Sequence, residues 1–307
     1  AGPGMKSALR DAASKARFSG VLNGIDVESY DPGSDAALFA RFSVEISSSS
    51  SSGSSSPSSN SHPSFVHAPA VGKALCKRAL FEELGLAPPP DTLDGRPAPL
   101  VAVVSRLTEQ KGLDLIEAGI DAAAAAGAAV VVVVGTASTP ENARRFAEKA
   151  ARSPPNVKFA FRFDEGLARR TYAAADLLLH PSLWEPCGLA QLVALRYGCV
   201  PLVRRTGGLA CTCRDLDDWH APLHSRNAFV FDGTRPEDAK VAVERAVRAY
   251  IAVVEEEGKE EKKGENESEN ESETAALARA FEEHWWSREL VPRCMRQEWS
   301  WARSARE

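Results

Sequence analysis

Long apolar runs, an excess of basic residues and a cysteine framework are all missing from this chain of 307 residues. The longest apolar tract, residues 122–134, is broken by Gly127 and falls short of the roughly 18 residues that cross a bilayer, so we expect no membrane partner. Lysine and arginine total 37 against 42 aspartates and glutamates, a net charge of −5. Because proteins that bind nucleic acid usually present a basic face, this balance argues against a nucleic-acid partner.

The six cysteines are scattered along the chain, which favours a reducing compartment. Cys211 and Cys213 lie close together, but no second pair of cysteines or histidines stands at zinc-site spacing. We interpret both as structural cysteines. No signal or transit peptide is recognisable, and residues 1–19 do not resemble the start of a domain. We therefore expect an N-terminal portion, with any targeting signal, to precede them.

Two low-complexity segments interrupt the chain. Residues 47–61 are nearly all serine, and residues 255–273 alternate Glu, Lys, Asn and Ser without an apolar residue. Since neither segment can bury apolar area, we expect two flexible surface insertions, the second as a solvated loop or a helix extension.

Strand and helix patterns alternate along much of the chain. Continuous apolar runs predict strands at 100–105, 129–134, 157–163, 176–180 and 199–203. Helical patterns occur at 112–126, 140–152, 165–175, 188–197, 236–254, 275–286 and 288–296. This alternation predicts an α/β fold, a parallel sheet with helices on both faces. Ligands of such sheets bind beyond the carboxyl ends of the strands, so the residues that follow each strand are the candidates for a site.

The loop after the first of these strands carries two cations. Arg106 and Lys111 are five residues apart, and Gly112 then begins a helix. A guanidinium and an ammonium group on one tight loop suit a diphosphate, and the N–H groups of a helix start add to an anion site. A solvated basic loop is the alternative interpretation.

The loop after strand 176–180 carries a carboxylate next to a glycine. Gly188 allows the backbone to approach a ligand closely, and the following helix start suits phosphate. Glu185 would repel an anion, so we expect it to face an uncharged, hydroxyl-rich group such as a sugar. A helix N-terminal charge without a ligand is the alternative. After strand 199–203, Thr206, Gly207 and Gly208 form a pattern typical of a backbone nest for phosphate oxygens.

Five motifs, in order along nearly the whole chain, resemble the starch and bacterial glycogen synthase family. They are residues 21–26 with Asp31-Pro32, then 105–114, 185–189, 194–198 and 203–209. Residues 163–165 and Arg226-Asn227 resemble the plant and algal type III/IV starch synthases.

The resemblance implies the GT-B fold, in which two Rossmann-like domains face each other across a cleft and the C-terminal one binds ADP-glucose. Residues 1–26 are expected to be the end of the acceptor-side domain and the hinge, and residues 27–307 the C-terminal nucleotide-sugar-binding domain. The Lys-x-Gly-Gly-Leu motif of the other domain does not occur near the start of this chain. The N-terminal GT-B domain is therefore expected to be a missing partner.

The resemblance also implies residue roles. Glu185 is expected beside the transferred glucose, while Arg106 and Lys111 hold the ADP phosphates and stabilise the departing diphosphate; these three are the expected catalytic residues. The expected donor-binding residues are Asn23, Phe163, Cys187, Gly188, Leu189, Thr206, Gly207 and Gly208. Among them, Phe163 takes the place of an aromatic residue, usually tyrosine, that stacks on adenine, and Asn23 is the hinge asparagine near the sugar.

This chain departs from the family pattern at two places. Ala190 stands where members usually have threonine or serine, so a hydroxyl that could bind phosphate is absent, which weakens donor binding by about 1 kcal/mol. Residues 210–213 replace the usual Ala-Asp-x-Val, which removes an acidic residue.

The implied reaction transfers glucose from ADP-glucose to the nonreducing end of an α-1,4-glucan, with retention, in the starch biosynthesis of a plastid. No metal or other cofactor is expected, since Arg106 and Lys111 take that role and no Asp-x-Asp motif follows the strands. The chain alone is expected to bind the donor with little or no transfer. Two alternatives stay open: a retaining GT-B enzyme that uses UDP-glucose, and a noncatalytic scaffold protein associated with starch.

Overall fold

The computed structural model describes residues 14, 20–45, 66–86, 98–162, 164–261 and 285–306. The core of these residues is a sheet of six parallel strands in the order β5-β4-β3-β6-β7-β8. The strands are β3 (Leu100–Leu107), β4 (Ala129–Ala137), β5 (Val157–Phe161), β6 (Leu177–His180), β7 (Val200–Arg204) and β8 (Phe229–Phe231). A separate parallel pair joins β1 (Arg41–Phe42) to β2 (Val66–His67).

Helices connect the strands and cover the sheet. They are α1 (Pro69–Leu84), α2 (Leu113–Ala125), α3 (Pro140–Arg152), α4 (Glu165–Ala174), α5 (Ala190–Arg196), α6 (Gly207–Thr212), α7 (Pro236–Glu261), α8 (Val291–Met295) and α9 (Trp301–Ser304). Local capping sets two of the starts: the Thr139 hydroxyl accepts the N–H of Asn142 at 3.1 Å ahead of α3, and the Asp164 carboxylate accepts the N–H of Leu167 at 2.8 Å ahead of α4. The predicted α/β class with a Rossmann-like parallel sheet is confirmed.

The sheet is buried because its strands are apolar on both faces. Val101, Val130 and Leu178 have no exposed surface, and the same holds for Val200. Such continuous apolar runs are stable only in a parallel sheet covered on both sides. Hydrophobic burial of this layered core is therefore the main source of the fold's stability.

The chain order of the sheet reverses once, between β3 and β6. From β3 the chain adds β4 and β5 on one side, and then returns to place β6 on the other side of β3. At such a switch point the connections leave in opposite directions and open a crevice at the carboxyl ends of the two strands. Arg106, near the carboxyl end of β3, and the loops after β3 and β6, which carry Lys111 and Glu185, meet at this crevice.

Several predicted boundaries differ from the structure. β4 continues through Gly135 to Ala137, and β8 and the β1–β2 pair were not predicted. The helix predicted over 288–296 is a π-helical turn, Trp286–Leu290, followed by α8. α7 continues to Glu261, so the first part of the 255–273 segment extends a helix. The rest of that segment, residues 47–61 and most of the predicted helix 275–286 lie outside the described residues.

Two buried lysines connect α1 with α4, with the end of α5 and with the residue that precedes β6. Lys73 Nζ donates to the carbonyl oxygens of Ala173 and Tyr197, both at 3.0 Å. Lys77 Nζ lies 2.5 Å from Asp176 Oδ2, and that oxygen also accepts the N–H of Leu100 at 2.8 Å. Both lysines are only 5% exposed, so these contacts offset the cost of burying their charge.

The segment around Ile25 packs against residues 299–300. Ile25 forms an isolated parallel bridge with Ser300, and the N–H of Ile25 donates to the carbonyl of Trp299 at 2.8 Å. The domain boundary placed at residues 26–27 stays a prediction. No helix within the described ranges is long and apolar enough to cross a membrane.

Candidate functional site

The loop after β3 is held against the loop after β6 by backbone contacts. Gly112 has φ +72°, and a Cβ there would lie 2.7 Å from the carbonyl oxygen of Pro181, so this position requires glycine. The carbonyl of Gln110 accepts the N–H of Leu183 at 2.8 Å, and the Gln110 side chain donates to the carbonyl of Trp184 at 3.1 Å. These contacts bring Lys111 and Glu185, which are 74 residues apart, into one site.

One oxygen of Glu185 receives three polar contacts. Oε2 lies 2.5 Å from Lys111 Nζ, accepts the Ser182 hydroxyl at 2.9 Å and lies 3.2 Å from Nε2 of His180. Glu185 is 8% exposed and His180 is 4% exposed. Hydrogen bonds to an ionised carboxylate in such a buried site are stronger than neutral ones. The carboxylate is therefore held in a defined position.

Burial and contacts act in opposite directions on the pKa of Glu185. Burial alone would raise it, but the hydrogen bonds and positive charge from His180 and Lys111 outweigh burial and hold the pKa at about 2. Burial lowers the pKa of His180, against the opposite effect of Glu185. At neutral pH the site thus holds an ionised glutamate and a neutral imidazole beside Lys111.

Arg106 lies in a cleft next to this pair and has no side-chain partner among the described residues. Its side chain is exposed, and its guanidinium forms no hydrogen bond or ion pair with the described residues. The cleft has a volume of about 440 Å³. It is lined by Tyr30, Arg106, Lys111, Arg169, His180, Leu189 and Ala190 among others. A cation without a partner on the wall of such a cleft is suited to an anionic ligand.

The turn from Cys187 to Leu189 is held in place by hydrogen bonds from the side chain of Gln191. Gly188 has φ +77°, and the Gln191 amide nitrogen donates to the carbonyl oxygens of Cys187 at 3.2 Å and Gly188 at 3.0 Å. Leu189 is 47% exposed, and α5 starts at the next residue, Ala190. The alanine that replaces the usual hydroxyl thus lies on the wall of the cleft.

The two glycines after β7 pack against the Glu185 loop. A Cβ on Gly207 would lie 2.0 Å from the carbonyl oxygen of Glu185, and one on Gly208 would lie 1.9 Å from that of Cys187. The N–H of Gly208 donates to the Glu185 carbonyl at 2.8 Å. These contacts give a packing reason for both glycines, while the phosphate nest of Thr206, Gly207 and Gly208 stays a prediction.

Asn23, a predicted donor-binding residue, lies apart from this constellation. Asn23 is exposed and does not line the cleft; its neighbour Gly24 packs against the backbone of Ser300 and Trp301. Phe163 lies outside the described residues. The roles of Asn23 near the sugar and of Phe163 on adenine stay predictions.

Sequence reasoning missed four residues of the site. His180 and Ser182 contact Glu185, while Tyr30 and Arg169 form a stacked pair on the cleft wall, with the guanidinium carbon 4.3 Å from the ring centre. His180 could have been found as the one polar residue of an otherwise all-leucine strand, five residues before Glu185. No comparable signal linked Tyr30 to Arg169, because the contact joins distant segments.

The cysteines and acidic residues form no metal cluster in the described ranges. No group of three or more His, Cys, Asp or Glu side chains there is arranged to hold an ion. All six cysteines are free, and burial raises the pKa of Cys199, Cys213 and Cys294 to about 12. These thiols are therefore protonated and packed in the core.

The sequence matches the family model described as "Glycosyl transferases group 1" over residues 93–266. Among curated proteins, a "Glycogen synthase" of Anaeromyxobacter sp. (strain Fw109-5) is 40% identical over 250 residues, which cover 81% of this chain and 45% of the relative. The "Probable starch synthase 4, chloroplastic/amyloplastic" of Arabidopsis thaliana is 33% identical over 251 residues, covering 81% of this chain and 21% of the relative. The chain thus spans less than half the length of both relatives.

A solved structure resembles nearly the whole chain. The catalytic domain of starch synthase IV from Arabidopsis thaliana, bound to ADP and acarbose, matches with a TM-score of 0.72 and 31% sequence identity. The match covers 99% of this chain and 50% of that chain.

Proposed function

This chain belongs to the glycosyl transferases group 1 family, and we propose that it is the ADP-glucose-binding part of a starch or glycogen synthase. In this proposal the whole protein transfers glucose from ADP-glucose to the nonreducing end of an α-1,4-glucan acceptor, with retention. The acceptor-side GT-B domain is the partner that completes the cleft. Relatives named glycogen synthase and starch synthase 4 support this assignment.

One observation carries the proposal: Arg106, which has no partner among the described residues, and the Lys111–Glu185 pair meet at the switch point of the sheet. Cleavage of the glucosyl–phosphate bond leaves negative charge on the β-phosphate of ADP. The Arg106 guanidinium and Lys111 ammonium are fixed charges that stabilise this departing group. The scheme needs no metal or other cofactor, because the two cations neutralise the diphosphate.

In this proposal Glu185 interacts with the sugar of the donor and not with its phosphates. With a pKa of about 2 it is ionised at neutral pH, and a carboxylate can accept a hydrogen bond from a sugar hydroxyl or stabilise positive charge that develops on the ring. Its Oε2 contact with Lys111 places the carboxylate next to the cation that holds the diphosphate. Sugar and phosphate groups of one donor can thus be bound side by side.

The finer assignments form part of the same proposal. The nucleotide is ADP, which is supported by the starch synthase IV structure bound to ADP. A plastid location and the type III/IV class are supported by the Arabidopsis relative, named as chloroplastic/amyloplastic. The bacterial relative of 40% identity, named glycogen synthase, supports glycogen as the alternative polymer.

Calorimetric titration of the chain with ADP and with UDP tests the proposal. We expect ADP to bind more tightly than UDP, and Arg106→Ala to weaken ADP binding by about tenfold to a hundredfold, since a hydrogen bond to a charged group contributes about 1.5–3 kcal/mol. Arg144→Ala is the matched control, because Arg144 is exposed on α3 and outside the cleft. Tighter binding of UDP would favour the UDP-glucose alternative, and binding of neither nucleotide would favour a scaffold protein.

A further inference from the structure

The Glu185 carboxylate is held by one oxygen only. Lys111, Ser182 and His180 all contact Oε2. Oε1 accepts no hydrogen bond in the described part of the chain, and it is not one of the buried polar atoms that lack a partner. The carboxylate therefore has one fixed oxygen and one accessible oxygen.

The proton on His180 can be assigned from this contact. Its Nε2 faces an ionised oxygen of Glu185 and lies 3.3 Å from the Ser182 hydroxyl, which itself donates to Glu185. A neutral imidazole fits this position only as the tautomer that carries its hydrogen on Nε2. The charged groups that face the ring are Glu185, on the loop after β6, and Lys111, on the turn after β3.

His180 interrupts an apolar strand. Leu177, Leu178 and Leu179 precede it in β6, and a fourth leucine would suit the fully buried position without any cost of burying a polar group. A buried imidazole is stable there because it has a hydrogen-bond partner, and that partner is Glu185.

We expect the hydrogen bond from Lys111 to Glu185 to weaken when a diphosphate binds. In the proposed function Lys111 also contacts the diphosphate, so its ammonium group is shared between two anions. His180 and Ser182 contact Oε2 independently of Lys111, so these two contacts can hold the oxygen when Lys111 binds phosphate.

We propose that His180, with Ser182, is a positioning residue that anchors Oε2 of Glu185 and thereby presents Oε1 to a hydroxyl of the glucosyl group. This inference rests on the proposed function, because it requires a nucleotide-sugar ligand. It assigns His180 to recognition of the sugar and not of the nucleotide. Loss of the Nε2–H donor frees the carboxylate to rotate and weakens its hydrogen bond to the sugar.

The ratio of the Kd for ADP to the Kd for ADP-glucose measures the contribution of the sugar. We expect His180→Leu to lower this ratio by about fivefold to tenfold while the Kd for ADP stays within about twofold, because a charge-assisted hydrogen bond is weakened but not removed. His180→Gln, whose amide can also donate, should restore most of the ratio. Thr171→Val is the matched control, since Thr171 is fully buried on α4 and its hydroxyl has no hydrogen-bond partner among the described residues.

Two results separate this inference from the proposed function. If Glu185→Gln lowers the ratio but His180→Leu does not, then His180 does not position the carboxylate and the inference is wrong, although the proposed function stands. If neither ADP nor ADP-glucose binds the wild-type chain, the proposed function fails, and the inference about sugar recognition fails with it.

A measurement without ligand tests the hydrogen bond itself. Long-range proton–nitrogen NMR spectra of the full chain, assigned with His180→Gln, report the tautomer of His180. We expect a neutral ring with its hydrogen on Nε2 at pH 7, and nitrogen shifts that move in Glu185→Gln. A hydrogen on Nδ1 would overturn the inference even if every variant were folded.

Discussion

The contribution of Glu185 to stability depends strongly on pH because its contacts lower the pKa of its carboxyl group. Its pKa is about 2 in the folded chain, against an ordinary value of 4.5. Because the folded value is lower than the unfolded one, the contribution of Glu185 to stability is fully present above about pH 4.5. It is lost as the pH falls towards 2, where the carboxylate becomes protonated in the folded chain too.

We therefore expect Glu185→Gln to change the slope of stability against pH. Between pH 5 and pH 2 the wild-type free energy of unfolding should fall by on the order of 3 kcal/mol more than that of the variant, because only the wild type takes up this proton. Urea unfolding at a series of pH values measures both curves. Parallel curves would show that Glu185 is not held by the contacts described here.

The sequence indicated the chemistry of single residues better than their contacts. Arg106, Lys111 and Glu185 were predicted as site residues because each follows a predicted strand, and the fold brings these segments together. The Oε2 contacts of His180 and Ser182 depend on side-chain directions after a buried strand, which no spacing rule specifies. Lys73 and Lys77 on α1 are similar, since lysines usually mark an exposed helix face and only the packed structure shows their partners.

At the scale of elements, the site depends on the close approach of the α6 start to the Glu185 loop. At Gly207 and Gly208 the backbone of the α6 start lies directly against the backbone of the Glu185 loop. The N–H of Gly208 donates to the Glu185 carbonyl. A side chain at either position would separate the loop after β7 from the loop after β6. The Glu185 loop would then lose this packing contact.

Gly208→Ala should consequently destabilise the chain by about 3 kcal/mol, because its Cβ would overlap the backbone of Cys187, which cannot move aside easily. Gly20→Ala is the matched control: it also adds a methyl group, has no left-handed φ and meets no atom within 4 Å. Its cost should be within about 0.5 kcal/mol, as for an ordinary surface substitution. Urea or thermal unfolding of both variants gives the comparison, and equal losses would mean that the α6 contact contributes nothing.

The elements themselves were predictable to different degrees. β3, β4, β6 and β7 were predicted because each is a continuous apolar run between helices. β8 has three residues, and the β1–β2 pair has two in each strand. Such short strands carry no periodic signal, and only pairing with a neighbour makes them strands.

At the scale of the whole molecule, the strand order places the cleft. The reversal between β3 and β6 opens a crevice at one edge of the sheet. Arg106 lies near the carboxyl end of β3 at that edge, and Lys111 and Glu185 follow β3 and β6 there. A second cavity, of about 830 Å³, lies between α2 and α3 and is lined by charged residues such as Glu117, Asp121, Arg145 and Lys149. Those charges are largely paired with one another, as in Arg145–Glu117 at 2.8 Å and the Lys149–Asp121 pair. We therefore expect the nucleotide sugar in the first cavity and not in the second.

Hydrogen–deuterium exchange with and without ADP-glucose locates the ligand on the chain and tests this placement most directly. We expect slower exchange at residues 105–112 and 183–189, because the ligand contacts both loops and holds them closed to solvent. Residues 140–152, which form α3 beside the second cavity, should exchange at an unchanged rate. Slower exchange confined to α3, or no change anywhere at saturating ADP-glucose, would contradict the assignment of the cleft between β3 and β6 as the donor site.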